Sequence, residues 1–328
     1  MGERSERLRE WAEQQLGGSN IALTPASGDA SFRRYFRVQH RGESYILMDA
    51  PPGKEDCGPF VRISRMLLEL GLHVPQILAE DTSQGFLLLS DLGNRLYLDE
   101  LDESSVDRLY GDALSALATL QSCGPAGDSL PAYDRKLLLT EMSLFTDWLL
   151  RTHLEMTLDA GERERLQEEF EVLVANALEQ PAVCVHRDFH SRNLMISNYH
   201  NPGILDYQDA VVGPVSYDLV SLLRDCYISW PRERVEAWVL GYYELAQQMG
   251  ILRPGDVDEA GFLRWFDLMG VQRHLKAAGI FARLNHRDGK PGYLADIPRT
   301  LGYVQEVCSR YPELANLGRI TQRVLERL

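Results

Sequence analysis

Near the middle of the chain, His186-Arg187-Asp188-Phe189-His190-Ser191-Arg192-Asn193 reads H-R-D-x-x-x-x-N, and Asp206 follows thirteen residues later. Those residue types at that spacing suit phosphoryl transfer, a reaction that asks a protein for positioning and charge neutralisation more than covalent work. One carboxylate must orient the attacking hydroxyl and take its proton, and Asp188 has that place. An amide oxygen and a second carboxylate must hold Mg²⁺ against the phosphates; Asn193 and Asp206 are hard oxygen donors of that kind. His186 reads as a brace for the loop rather than a base, with Asp218 its candidate partner. The plain alternative is a run of solvated turn residues, but four specified positions and a spaced carboxylate are more than turn composition produces.

A loop of this kind needs strands to hold it. Val183-Cys184-Val185 is a short β run leading in, Leu194-Met195-Ile196 leads out, and Gly203-Ile204-Leu205 runs into Asp206. Around this island the periodicity is helical. An apolar stripe of Val106, Leu109, Tyr110, Ala113, Leu114 and Leu117 predicts a helix, and further helices are expected at 134–150, 162–178 and near 216–228, 232–249, 258–285, 298–310 and 315–327. The N-terminal part reads differently. A helix over 4–16 stops at Gly17-Gly18, and two β-rich stretches flank Arg41-Gly42 as a hairpin. A helix at 59–70 and strands at 74–78 and 85–89 follow. The expectation is an α+β chain with a small β-rich lobe over residues 1–92 and a larger, mainly helical lobe over 93–328. The first would bind nucleotide, and the second would carry the catalytic loop, the metal and the acceptor site.

Composition narrows the partners. A formal charge of -14 over 328 residues offers no basic stripe for nucleic acid. No apolar run approaches the ~20 residues of a membrane helix, and Met1–Glu6 lacks the apolar core of a signal peptide. Five dispersed cysteines without a C-x-x-C pair suggest reduced thiols and a cytoplasmic setting. No obligate protein partner is visible.

The His186–Asn193 loop together with Ile204-Leu205-Asp206-Tyr207-Gln208-Asp209 resembles the aminoglycoside phosphotransferase and choline kinase family, a branch of the bilobal protein-kinase-like fold. The resemblance spans roughly residues 20–310. Four segments are similar, more narrowly, to bacterial cell-wall amino sugar kinases: Gly28–Arg37, Met48-Asp49-Ala50-Pro51-Pro52, the His186 loop, and Gln272-Arg273-His274-Leu275-Lys276. What that implies is ATP-dependent phosphorylation of the anomeric hydroxyl of N-acetylmuramate or N-acetylglucosamine, giving a sugar 1-phosphate in peptidoglycan recycling. Kinases of other small alcohols, aminoglycoside or choline-like, and a nucleotide-binding pseudokinase are the competing readings.

Nucleotide contacts follow from the resemblance. There is no G-x-x-x-x-G-K-[ST] loop; instead Ser27, Gly28, Asp29 and Ser31 stand where kinase-like chains cover the phosphates. An ordinary turn is the competing reading. Ser90 and Leu92 correspond to the adenine hinge, or simply to a strand end. The phosphate-contacting strand lysine is missing, with Met48-Asp49 in its place. Arg33, Arg34 or Lys54 could substitute, and solvent-facing strand residues are the competing reading for the arginines. For the acceptor, Asp209, Trp230, His274 and Lys276 are candidates. Asp209 could bond sugar hydroxyls, Trp230 could stack on a sugar or fill the core, and His274 could be a structural histidine. Arg273 or Lys276 could meet a lactyl carboxylate, or be solvated helix cations.

Overall fold

Helix α1 (Glu3–Leu16) buries Leu8, Trp11 and Ala12 on one face and stops at Gly17, whose φ of 65° is the left-handed conformation that ends helices. The computed structural model describes residues 3–27, 32–125 and 127–328. These fall into two compact units. One holds the chain up to Leu96 together with Asn193–Asp209, and the other holds Tyr97–Arg192 and Ala210–Leu328.

In the first unit, β1 (Thr24–Ser27), β2 (Arg34–His40), β3 (Glu43–Asp49), β4 (Ile77–Asp81) and β5 (Phe86–Ser90) form an antiparallel sheet in the order β1-β2-β3-β5-β4. Helix α2 (Gly58–Glu69) lies between β3 and β4 in the chain. The β2–β3 hairpin turns on Arg41 and Gly42, both with positive φ, as a two-residue hairpin turn requires. Leu8, Trp11, Val38, Leu47, Phe86 and Leu88 make the core under this sheet. Strand β4 starts three residues later than expected because Pro75 has no N–H to give a ladder. Gly85 must be glycine: its φ is 73°, and a Cβ there would stand 1.8 Å from the Ala50 carbonyl oxygen.

The second unit is helical: α3 (Tyr97–Glu100), α4 (Val106–Cys123), α5 (Arg135–Leu144), a π-helical turn over Phe145–His153, and α6 (Ala160–Leu178). Strand β6 (Ala182–Val185) follows. The chain then passes to the first unit for the hairpin of β7 (Leu194–Met195) and β8 (Gly203–Ile204), returning as β9 (Val211–Pro214). Helices α7 (Tyr217–Leu223), α8 (Arg232–Gln248), α9 (Glu259–Asp288), α10 (Ile297–Cys308) and α11 (Ala315–Leu325) complete it. Helix α9, thirty residues long, is buried along most of its length and packs against α5, α6, α7, α8, α10 and the π-helical turn. Where α5 gives way to the π turn, α9 comes so close that a Cβ on Gly279 would lie 2.3 Å from the Leu144 carbonyl carbon.

Two expectations change. A single cut near residue 92 does not divide the chain, because Ile204 N–H bonds the His73 carbonyl (2.7 Å) and Ile196 N–H bonds the Arg95 carbonyl (2.8 Å), which ties 193–209 to the first unit. Strand β9 was not expected at all. Gly213 and Pro214 hide its pattern, yet it pairs with β6 from Ala182↔Pro214 to Val185↔Val211.

Candidate active site

The catalytic loop begins where β6 ends, and its first residues are held by a buried carboxylate. Asp218, on the first turn of α7, accepts the backbone N–H of His186 at 2.6 Å and of Arg187 at 2.9 Å. The expected partnership of Asp218 with His186 therefore exists through the backbone. Burial pushes the Asp218 carboxyl up to about 7, and the two N–H donors pull against that. The His186 ring braces the loop a second way: its Nδ1 accepts the N–H of Asp188 at 3.2 Å, which fixes the unprotonated nitrogen. Arg187 between them has a φ of 77°, a conformation L side chains seldom adopt.

That backbone turns Asp188 toward a buried group of cations. Burial alone would raise its carboxyl, yet the charges of Lys276, Arg273 and Arg187, joined by His190 only when its buried ring is protonated, outweigh it and hold Asp188 below the usual carboxylate range. Asp188 is ionised at neutral pH, as a proton acceptor must be. The cations are themselves anchored. Glu141, buried on α5, pairs with Arg187 and with Lys276 at 3.1 Å, while Lys276 donates to Tyr217 Oη at 2.9 Å. Tyr133 also donates to Glu141. Further along the loop, Asp225 accepts from Ser191 N–H (3.0 Å), Ser191 Oγ (2.5 Å) and Tyr227 N–H (3.0 Å).

Asn193 and Asp206 belong to the first unit, and the β7–β8 hairpin brings them together. Leu205 N–H bonds the Asn193 carbonyl at 2.9 Å, and Asn193 Nδ2 lies 3.4 Å from Asp206 Oδ2. Gln208 Nε2 donates to Asp206 Oδ1 at 2.8 Å. Asp206, like Arg187, sits at positive φ, 63°. The atom of Asn193 that faces Asp206 is its amide nitrogen; with the amide turned so that its oxygen stood there, the pair would offer two hard oxygen donors of the kind that suits Mg²⁺. Among the described residues there is no group of three or more His, Cys, Asp or Glu that could hold a metal ion; a metal held by this pair would take its other ligands from phosphate oxygens and water.

The other candidates scatter. Gly28, Asp29 and Ser31 lie outside the described residues, and Ser27 ends β1. Arg34 stands opposite Asp49 in the β2–β3 register and pairs with it, while Arg4 reaches the same carboxylate from α1 at 2.6 Å. Arg33 lies just before β2. Lys54 caps the ring of Phe32 at 4.6 Å. Ser90 is the last residue of β5, where its Oγ takes the N–H of Gln76 at 2.8 Å, and Leu92 packs beside Gly203. Asp209 is exposed and receives Gln208 Nε2 at 3.4 Å.

Trp230 is in the core: its indole N–H bonds Tyr110 Oη at 3.1 Å, with Trp238 edge-on and Arg234 over its face. His274 is likewise structural. Its Nε2 meets the Arg224 carbonyl at 2.8 Å, and burial, then Arg273, push its pKa down to about 3. Lys276 is neither a solvated cation nor an exposed one, since it sits in the Glu141 network. Glu141, Asp225 and Tyr227 were not singled out from sequence. A glutamate inside an apolar helical stripe was the available signal for the first; nothing local marks the others.

A family model described as "Phosphotransferase enzyme family" matches residues 22–255. The chain is 51% identical over 298 residues to the N-acetylmuramate/N-acetylglucosamine kinase of Pseudomonas aeruginosa, covering 91% of this chain and 87% of the relative. It is 44% identical over 320 residues to the protein of the same name from Neisseria meningitidis, covering 96% and 94%. Among solved structures, the choline kinase LicA of Streptococcus pneumoniae superposes with a TM-score of 0.66 at 13% identity, over 94% of this chain and 100% of that one. The ADP-bound aminoglycoside phosphotransferase APH(2'')-Ib gives 0.60 at 19% identity, over 90% and 97%. At such identities the likeness is one of fold.

Proposed function

This chain belongs to the phosphotransferase enzyme family, and within it we propose an ATP-dependent kinase of N-acetylmuramate and N-acetylglucosamine that acts on the anomeric hydroxyl. The sugar 1-phosphate so made would feed peptidoglycan recycling. The observation that carries the reading is the identity with amino sugar kinases, 51% over nine-tenths of this chain, beside an Asp188 held in a doubly braced loop.

In this mechanism Asp188 accepts the proton of the sugar hydroxyl as its oxygen bonds to the γ-phosphorus. The bond from that phosphorus to the β,γ-bridging oxygen breaks, and ADP leaves. Asn193 and Asp206 would hold Mg²⁺, which when bound neutralises phosphate charge. Asp218 and His186 keep the loop in its strained turn, so Asp188 meets the hydroxyl already oriented. Arg34, anchored by Asp49 yet with about half its side chain exposed, is the arginine we assign to the phosphates in place of the strand lysine. Asp209, exposed beyond the metal carboxylate, is assigned to the sugar hydroxyls.

The test is phosphoryl transfer from ATP–Mg²⁺ to N-acetylmuramate, N-acetylglucosamine, choline and an aminoglycoside, with products read by phosphorus NMR. A sugar 1-phosphate resonance is expected with both amino sugars. Transfer only to choline or the aminoglycoside would overturn the substrate assignment. An Asp188→Asn protein should lose about 10²–10⁴-fold in kcat while still binding ATP; full turnover in that variant would remove Asp188 as base.

A further inference from the structure

Arg192, the residue just before Asn193, lies on an aromatic wall. Its guanidinium carbon is 4.4 Å from the ring centre of Tyr227 and 5.6 Å from that of Tyr293. Tyr293 stacks on Phe281 at 5.7 Å with the rings 19° apart, and Tyr227 lies 6.2 Å from Phe281. The wall is joined to the catalytic loop at two points. Asp225 binds Ser191 and the Tyr227 backbone together, and the His190 ring meets Tyr227 edge-on at 5.5 Å. All of these residues belong to the second unit, with Asp188.

Three features point to a ligand. Arg192 is exposed and has no carboxylate at ion-pair distance among the described residues; Asp296, whose charge reaches it, is paired with Arg299 at 2.9 Å. His190 is nine-tenths buried, and its Nδ1 has no hydrogen-bond partner. Tyr227 and Tyr293 are only partly buried, so the wall keeps an accessible edge. A planar guanidinium laid flat on aromatic rings still has N–H groups at its edge to offer a carboxylate. A cation already over both tyrosines also disfavours a quaternary ammonium, which would need those same ring faces.

On the substrate reading above, we infer that Arg192, held on Tyr227 and Tyr293, recognises the lactyl carboxylate that N-acetylmuramate carries and N-acetylglucosamine lacks. Arg273 and Lys276, the helix cations that sequence offered for this task, are buried: Lys276 answers Glu141 and Tyr217, and Arg273 lies among Asp188, Asp225 and Cys226. Arg192 is the accessible cation. It makes the acceptor site a discriminator between the two sugars.

The experiment compares wild type, Arg192→Met and Arg192→Lys in kcat/KM for the two amino sugars at saturating ATP, and in KM for ATP. Met keeps the aliphatic packing on the rings and removes the charge. The ratio of kcat/KM for N-acetylmuramate over N-acetylglucosamine is expected to fall about 10- to 100-fold in Arg192→Met, the size of a lost charge-assisted contact, and to recover in part in Arg192→Lys. An unchanged ratio overturns the inference while leaving the kinase assignment standing. A raised KM for ATP with an equal loss for both sugars also overturns it, and makes Arg192 a phosphate ligand. A wild type that phosphorylates neither sugar overturns the substrate reading and this inference with it.

Discussion

Arg34 and Asp49 face each other across the β2–β3 ladder and form an ion pair. Asp49 is fully buried, and Arg4 from α1 meets its other oxygen. On the proposed assignment the carboxylate holds, in place of the missing lysine, a guanidinium whose outer edge is still in water. Arg34→Gln is expected to raise KM for ATP about tenfold, the low end for a hydrogen bond to a charged group. A normal KM with a lowered melting temperature would make Arg34 a brace for Asp49 and nothing more.

Glu141 is the shared counter-charge of Arg187 and Lys276, and it is buried with them. Replacing it by Ala would strand two desolvated cations. Such a change costs about 3–5 kcal/mol, read by denaturant unfolding, and the backbone turn before Asp188 should loosen with it. A loss below about 1 kcal/mol would mean that water reaches this network.

Asp218 supplies a pH dependence whose sign can be worked out. Its folded pKa, about 7, lies above that of a carboxyl in the unfolded chain, so the folded state holds an extra proton in between. Its contribution to stability is therefore greatest near pH 4, declines as pH rises through about 7, and then levels. The difference in unfolding free energy between wild type and Asp218→Asn, measured from pH 4 to 8, should follow that curve. A flat difference would mean that Asp218 is ionised throughout the range.

Gly279 and Gly302 make a matched pair of opposite sign. Gly279→Ala would press a methyl into the Leu144–Phe145 backbone and should cost about 1–3 kcal/mol. Gly302 is exposed on α10 with nothing within 4 Å of its would-be Cβ, so Gly302→Ala should gain about 0.5–1 kcal/mol through helix propensity. Calorimetric melting of the two variants decides both. Equal shifts would show that the α9 contact relaxes freely.

Much of the site was legible because its signals are local. The H-R-D-x-x-x-x-N spacing offers the proposed base and one proposed metal ligand within eight residues, and the strand before Asp206 offers the other. Hairpin and helices follow from turn glycines and apolar period. Less legible were the features that depend on what lies across a contact. Helix α5 was expected to run unbroken to 150; instead it widens into a π turn where α9 approaches. Trp230 and His274 were candidates for ligand contacts beside the commoner reading of core or structural residue, and packing put both inside.

The sequence by itself determined the reaction class, the candidacy of Asp188, Asn193 and Asp206, and the order of a β-rich part before a helical one, because each rests on residues close in the chain. Tertiary structure alone decided that Asp218 would clamp the loop from thirty residues away and that Glu141 would neutralise two cations from two different elements. It also placed Arg192 on two tyrosines from separate segments. The physical reason is that a buried charge is tolerable only beside its partner, and which charges are buried together is set by how the elements pack.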